Sequence, residues 1–546
     1  MKTQPDTAIH FVWIWGMTVG LAAILPSPSR ADEEPPTFSG SIASILYSKC
    51  TQCHREGQSG PFVLQSYEDA VKHSNTIRAV VEEGYMPPWK PVDSGIAFAH
   101  DRRLSSKEKD LLLRWIENAC PQGDASATPA PPRFPAEWAL GKPDLVVRMD
   151  RPFQVPADGP DLYRSFVFQV GLPEDKWIKA MELKPTARGA VHHALFFVDQ
   201  GGELRKERES DGLPGFRGMN FLKGRSQGGN PLVNVAEGMG RGLGGYVPGA
   251  TPNRLPGDLA RLLPAGSDII MQTHFHPTGK VEQEQAELAL YFADQPPSRL
   301  LVPLQLPALF GLGAGLEVPA GEKSFHLKDS YTLPVDVEAF EVGGHAHYIC
   351  TKMDLTATTP DGKTSSLLKI EDWDLDWQDQ YQFAQAVRLP KGTRLDVDIV
   401  YDNSSDNSDN PYSPPKTIAW GRESNDEMGS VTLLVVTDRD EDRKVLERDM
   451  RKRSQEAIRN RIEKQTGRLG SLAGGALGDG RLLKLLDQNR DGVLEASEIP
   501  ERLRTRLFEF LDENRDDRLD AKEIERGRKS IREILDDRST DNERNR

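Results

Sequence analysis

From about residue 141 to 438 the chain is a succession of short β-rich runs: "DLVVRM", "RSFVFQV", "HHALFFV", "DIIMQTHFH", "ELALYFA", "HLKDSYTL", "RLDVDIVY" and "SVTLLVV". Turn signals such as "PDG" at 360–362 separate them. Helical periodicity is nearly absent here, so the pattern predicts antiparallel sandwiches or jelly rolls. The stretch is long for one sandwich. Two are expected, 141–298 and 299–438, meeting near "QPPSRLLVP" at 295–303. "GMGRGLGGYVPGATP", 238–252, lacks the lysine and the flanking strand and helix of a phosphate loop, and reads as a long surface loop near a site.

Three of the strand-like segments carry histidines: His192 and His193, His274 and His276 in "QTHFHPTG", and His345 and His347 in "GGHAHYIC". Residues two apart on a strand share a face, so His345 and His347 can hold one ion without distorting the backbone. Neighbours face opposite sides. For His192 and His193 to meet at one ion the strand needs a bulge, a twist or unusual ring geometry, with a third ligand that His274 can supply. Three imidazoles suit zinc or copper. A thioether favours copper, and Met428 in "NDEMGS" offers one at the entrance to a strand.

The front of the chain carries a different chemistry. "SKCTQCHREG" has the C-x-x-C-H spacing of covalent c-type haem: Cys50 and Cys53 add to the porphyrin vinyl groups and His54 becomes an axial ligand. Met86, on a loop stiffened by Pro87 and Pro88, is the chosen sixth ligand, with His73 and His100 as rivals. "SSKEKDLLLRWIENAC" reads as a closing helix capped by Ser105 or Ser106, with Leu111, Leu112, Trp115 and Ile116 as its apolar face. This module, 37–124, resembles small all-α cytochrome c domains. A proline-rich linker, 125–140, follows.

The four histidine and methionine segments, in their order along the chain, resemble those of the copper type II, ascorbate-dependent monooxygenases, the group of peptidylglycine α-hydroxylating monooxygenase and dopamine β-monooxygenase. "HHALFF" is similar to their double-histidine segment, "MQTHF" to their single-histidine strand, "GHAHY" to their H-x-H segment and "NDEMGS" to their methionine segment. The resemblance covers roughly 140–438. It implies two all-β jelly-roll sandwiches and two mononuclear coppers. His192, His193 and His274 form the first site, which stores and delivers an electron. His345, His347 and Met428 form the second, catalytic site, which binds dioxygen and hydroxylates a substrate C–H bond. His276 falls outside the family's ligand pattern. The implied partners are a small-molecule or peptide substrate, O2, and ascorbate or another electron donor. The fused haem is a candidate donor to the His192 site. A non-catalytic copper or haem electron-transfer protein on the same scaffold, and a zinc hydrolase with one tri-histidine site, are the alternatives; Met428 argues against zinc.

The C-terminal part reads as a pair of EF-hands, 477–533. "DQNRDGVLEASE" places oxygen ligands at Asp487, Asn489, Asp491, Glu495 and Glu498, the Val493 carbonyl between them, and Gly492 at the turn. "DENRDDRLDAKE" gives Asp512, Asn514, Asp516, the Arg518 carbonyl, Asp520 and Glu523, with Asp517 in place of the turn glycine. A charged helical spacer, 439–476, precedes the pair, and a disordered tail, 534–546, follows it.

The formal net charge of −14 argues against nucleic acid as a partner. "FVWIWGMTVGLAAIL" followed by "SRA" reads as an export signal, 1–31, which predicts a periplasmic or secreted protein with no stable membrane span after cleavage. Four cysteines are too few for disulfide stapling. Cys120 and Cys350 remain after the haem pair, free or paired only if the folded domains bring them together.

Overall fold

The computed structural model describes residues 35–457 except 136, 160, 201, 208–210, 218–241, 250–251 and 422, then 460 and the scattered positions 486–487, 489, 491–499, 512, 516, 518–520 and 522–525. The expected export signal, the tail, positions 238–241 and 250–251 of the glycine-rich loop, Asn514 and Asp517 lie outside the described residues.

The protein is multidomain and mostly β. Its first β-unit holds β1 (Leu145–Arg148), β2 (Phe153–Val155), β3 (Leu162–Phe168), β4 (Lys176–Lys184), β5 (Val191–Asp199), β6 (Phe216–Arg217), β7 (Gly242–Tyr246), β8 (Arg261–Leu263), β9 (Asp268–Phe275), β10 (Glu282–Glu284) and β11 (Glu287–Phe292). Two antiparallel sheets, ordered β1-β11-β4-β8 and β6-β3-β9-β5-β7, face each other; β2 and β10 pair alongside. Ile178 and Leu288 from one sheet and Phe166, Phe196 and Met271 from the other share a single core. Strand β9 is buried along its whole length, as the central strand of the five must be.

The second β-unit holds β12 (Val302–Leu306), β13 (Glu317–Val318), β14 (Phe325–Thr332), β15 (Val337–Ala346), β16 (Cys350–Thr358), β17 (Thr364–Ile370), β18 (Gln380–Leu389), β19 (Arg394–Tyr401), β20 (Ile418–Ala419) and β21 (Gly429–Val436). Its sheets run β12-β21-β15-β18 and β14-β19-β16-β17, with β13 and β20 paired apart. Leu304, Val342 and Leu433 meet Leu327, Leu355 and Val397 in its core. Edge strand β14 alternates buried and open residues, the signature of a sheet with one wet face. Residues 440–457 are helical and lie on this unit: Leu446 is fully buried in its core, and Asp449 accepts the Tyr331 hydroxyl at 2.9 Å.

The N-terminal region is a small helical unit: α1 (Ala43–Lys49), α2 (Tyr67–Lys72), α3 (Ser74–Glu82) and α4 (Ser106–Glu117). Phe38, Leu46, Ile77, Leu112 and Trp115 form its core. Ser105 caps α4 in a reciprocal box with Glu108, so the cap falls on the first of the two serines. Between α3 and α4 the chain leaves this core. Pro91 bridges to Ile370 and Phe98 to Phe383, while Val92 N–H donates to the Lys369 carbonyl at 2.8 Å. Residues 87–100 thus run as a strap along β17 and β18, and Phe98 joins the second core.

Cys120 and Cys350 are buried in different cores, and all four cysteines are free thiols. Among the described residues no helix is long and apolar enough to cross a membrane.

Candidate metal centre

His193 and His274 sit directly opposite each other on β5 and β9. Cross-strand partners point to the same face, so their rings meet, with the two Nδ1 atoms 3.4 Å apart. Val191 pairs with Phe275 and His193 with His274, which leaves His192 as an extra residue. This is the bulge that adjacent histidines require to reach one point. Ligand atoms of His192, His193 and His274 lie within 4.8 Å of one another, close enough to hold one ion.

The surroundings favour ligation. Burial drives the pKa of His192 down to about 4, aided by His274, and holds that of His193 well below the ordinary imidazole value. Both rings are therefore neutral at physiological pH, the form that binds metals. His192 Nδ1 is buried and makes no hydrogen bond; the Asp376 carboxyl of the second β-unit lies 3.4 Å away. An orphaned buried nitrogen beside two converging rings is a donor set that suits a cation.

His274 is fixed from behind. Tyr163, its partner on β3, stacks on the ring at 4.4 Å, and Nε2–H donates to Asp161 at 2.7 Å. That bond leaves Nδ1 as the free lone pair, aimed at His193. His276, the histidine left over in the sequence, donates to the other Asp161 oxygen at 2.9 Å. Burial raises the Asp161 pKa, but hydrogen bonds and charge from His274 and His276 outweigh it and bring the value to about 2.

The second cluster lies at the ends of β15 and β21. His345 pairs with Ser430 and Ala346 with Gly429. The ladder ends there, and His347 and Met428 are the next residues of the two segments. The two rings stand 5.4 Å apart at 88°. His345 Nδ1–H donates to Gln378 at 2.7 Å, which keeps its Nε2 open, and His347 Nδ1–H donates to the Asp426 carbonyl at 3.1 Å. Burial lowers their pKa values to about 4 and about 3. The Tyr401 hydroxyl donates to the Met428 carbonyl at 2.9 Å. Gly429 makes this approach possible, since a Cβ there would lie 1.9 Å from that hydroxyl. Two buried oxygens nearby, Ser430 Oγ and Glu427 Oε1, have no partner.

The clusters belong to different β-units. His193 lies within the electrostatic reach of His345 and His347, and His347 within that of His274. Tyr348, next to His347, donates to Asp161 at 3.1 Å.

In the helical unit, Cys50 ends α1, and His54 Nδ1–H donates to the Phe62 carbonyl at 3.0 Å, leaving Nε2 open as an axial ligand requires. Burial pushes the Cys50 thiol up to about 12 and raises that of Cys53. Phe62 touches the His54 ring at 4.7 Å and stacks on His73 at 4.0 Å. Met86 donates its N–H to the Val80 carbonyl at 3.0 Å. A cavity of about 440 Å³ opens where the three units meet, lined by Arg55, Arg188, Tyr246, Arg261, Glu341 and Asp379; none of the clustered histidines lines it.

The two acidic loops of the C-terminal part pair through β22 (Leu494–Glu495) and β23 (Arg518–Leu519). In the first, Gly492 takes φ +81°, as its turn position requires, and donates to Asp487 at 3.0 Å. Glu498 receives Asn489 N–H and Glu495 N–H, both at 3.1 Å, while Asp487 Oδ1 stays buried without a partner. In the second, Asp512 accepts from Asp516 N–H at 3.3 Å and Asp516 from Arg518 N–H at 2.9 Å. Glu523 accepts from Asp520 N–H at 3.0 Å.

Asp161, Asp376 and Gln378 carry no motif in the sequence, and Tyr348 was read only as part of the segment that holds His347. The one signal pointing to them was the surplus histidine, His276, whose partner is Asp161.

No known protein family matches the sequence, and no curated protein does. Among solved structures, the chain overlaps the major capsid protein P2 of bacteriophage PM2 at 11% identity and TM-score 0.21, covering 54% of this chain and 98% of that one. It overlaps PNGF-II at 11% identity and TM-score 0.22, covering 54% and 65%. It overlaps PNGase F, a glycosylasparaginase from Flavobacterium meningosepticum, at 10% identity and TM-score 0.22, covering 54% and 97%. At these scores the overlap speaks for neither fold nor function.

Proposed function

We propose that the chain is a copper-dependent monooxygenase that hydroxylates a C–H bond of its substrate with O2, drawing electrons from ascorbate or from a haem attached at Cys50 and Cys53. The observation that carries this reading is the three-histidine cluster, with its ligand atoms within 4.8 Å, together with a second buried histidine pair, His345 and His347, on the other β-unit. Copper, when bound, would supply one-electron redox chemistry at the first cluster and dioxygen activation at the second. The net reaction consumes the substrate, O2, two electrons and two protons, and yields alcohol and water.

The chain's own residues prepare both clusters for that chemistry. Burial keeps His192, His193, His345 and His347 neutral. Asp161, Gln378 and the Asp426 carbonyl orient three of the rings. The Met428 side chain, 2% exposed, adds a soft, dry donor. His54, with Cys50 and Cys53, would hold a c-type haem, and the paired acidic loops would hold calcium. The expected jelly-roll topology, the cytochrome c-like module and the periplasmic or secreted location belong to the same proposal.

The test is metal and haem quantification of the purified mature protein, followed by ascorbate-driven oxygen uptake against a panel of C–H donors. Two coppers per chain and uptake coupled to hydroxylated product are expected. Copper bound tightly with no uptake on any donor overturns the enzyme and leaves an electron carrier. Zinc in the three-histidine cluster, with hydrolytic activity, overturns both.

A further inference from the structure

Asp161 stands just before β3 and receives three donors. His274 Nε2–H reaches its Oδ2 at 2.7 Å, Tyr348 O–H reaches the same oxygen at 3.1 Å, and His276 Nδ1–H reaches Oδ1 at 2.9 Å. The carboxylate is largely shielded, with 17% of its side chain exposed. Two donors come from the first β-unit. Tyr348 comes from the second and follows His347 directly. One carboxylate thus touches a residue of the first cluster and the neighbour of a residue of the second.

We propose that Asp161 is a positioning residue that couples metal loading of the His192, His193 and His274 cluster to the docking of the second β-unit. The inference rests on metal occupancy of that cluster, not on oxygenase chemistry. An ion on His274 Nδ1 leaves the ring proton no place but Nε2 and makes that N–H a stronger donor. The Asp161 carboxylate is then held in the orientation that accepts Tyr348. Coupling of this kind is reciprocal: if loading strengthens docking, docking strengthens loading by the same factor. The Tyr348 hydroxyl donates to Asp161, which makes Asp161 its hydrogen-bonded link to the His274 ring. His276 fills the remaining oxygen and keeps the carboxylate from rotating away.

The probe is Cu(II) added to the full-length apo chain. Cluster affinity is read by chelator competition, the ligand field by electron paramagnetic resonance, and docking by hydrogen exchange at 347–349 with and without copper. Asp161→Asn places an amide where three donors converge. It is expected to weaken Cu(II) at the first cluster by about 10–100-fold, the usual cost of losing a partner that orients a metal-bound histidine, and to alter its hyperfine splitting. Asp161→Glu should restore part of the affinity. Tyr348→Phe keeps every ligand and the Asp161–His274 bond. It is expected to lower Cu(II) affinity several-fold and to abolish copper-induced protection at 347–349. Wild-type affinity and wild-type protection in Tyr348→Phe overturn the coupling, and they do so even if Asp161→Asn fails to fold. A wild-type chain that binds no copper at the three histidines overturns the metal reading itself, and the coupling with it.

Discussion

Glu284 offers a quantitative test of how the turn before the bulge is held. Its side chain is fully buried. One oxygen accepts Ala187 N–H at 2.7 Å and Thr186 N–H at 3.0 Å, while the other has no partner. The Ala187 carbonyl in turn receives Val191 N–H at 2.9 Å, so this carboxyl pins the turn that launches β5 towards His192. Burial pushes its pKa from the ordinary 4.5 up to about 7, against the lowering effect of those hydrogen bonds. The folded state therefore holds the proton more tightly than the unfolded chain. Its contribution is complete below pH 4.5, fades as pH rises and is gone above about 7. At ~1.4 kcal/mol per pH unit, the full swing amounts to about 3 kcal/mol. Glu284→Gln imitates the protonated carboxyl at every pH. Denaturant unfolding of the metal-free protein at pH 5 and pH 8 should give nearly equal stabilities for the two proteins at pH 5. At pH 8 the variant should be the more stable by up to ~3 kcal/mol. A difference between them that does not change with pH would refute the argument, because the buried carboxyl would then be ionised throughout.

Met428→Leu conserves volume in a buried site, so stability should fall by less than ~1.5 kcal/mol, while Cu(I) competition against a chelator should show at least ~10-fold weaker binding at the second cluster once the soft sulfur is gone. Ser105→Ala removes the α4 cap and should cost about 1 kcal/mol, seen as faster hydrogen exchange in the first turn of that helix. Leu446→Ala empties a fully buried position beneath helix 440–457; a loss of about 2–5 kcal/mol is expected, with protease cleavage appearing near that helix before the β-core yields.

The β-rich middle was legible because each strand spells its burial in alternation or in an apolar run bounded by turns. The need for a bulge, a twist or unusual ring geometry at His192 was also legible, from the plain geometry of adjacent residues on a strand, and the bulge is the one of the three that the strand pairing shows. What the sequence hid was lateral. Asp161 lies 113 positions from His274 and 187 from Tyr348, and nothing local marks it as their partner. Gln378 and Asp376 were hidden in the same way, each a common residue in a polar stretch. The strap at 87–100 was hidden for another reason. Its prolines and aromatics suit a stiff loop around a haem as well as they suit a cover on a sheet edge, and only packing tells the two apart. Trp89 and Phe98 settle against Tyr381 at 5.1 and 5.8 Å, an aromatic trio drawn from distant parts of the chain.

That strap has a mechanical consequence. Arg102, just beyond it, donates to the Asp379 carboxylate at 2.8 Å and towards the Gly249 carbonyl at 3.4 Å, one on each side of the cleft. The small helical head is thus stitched to both halves at once. It cannot follow either one outward without tearing a seam on the other, so any gaping of the halves would register at the Arg102 guanidinium.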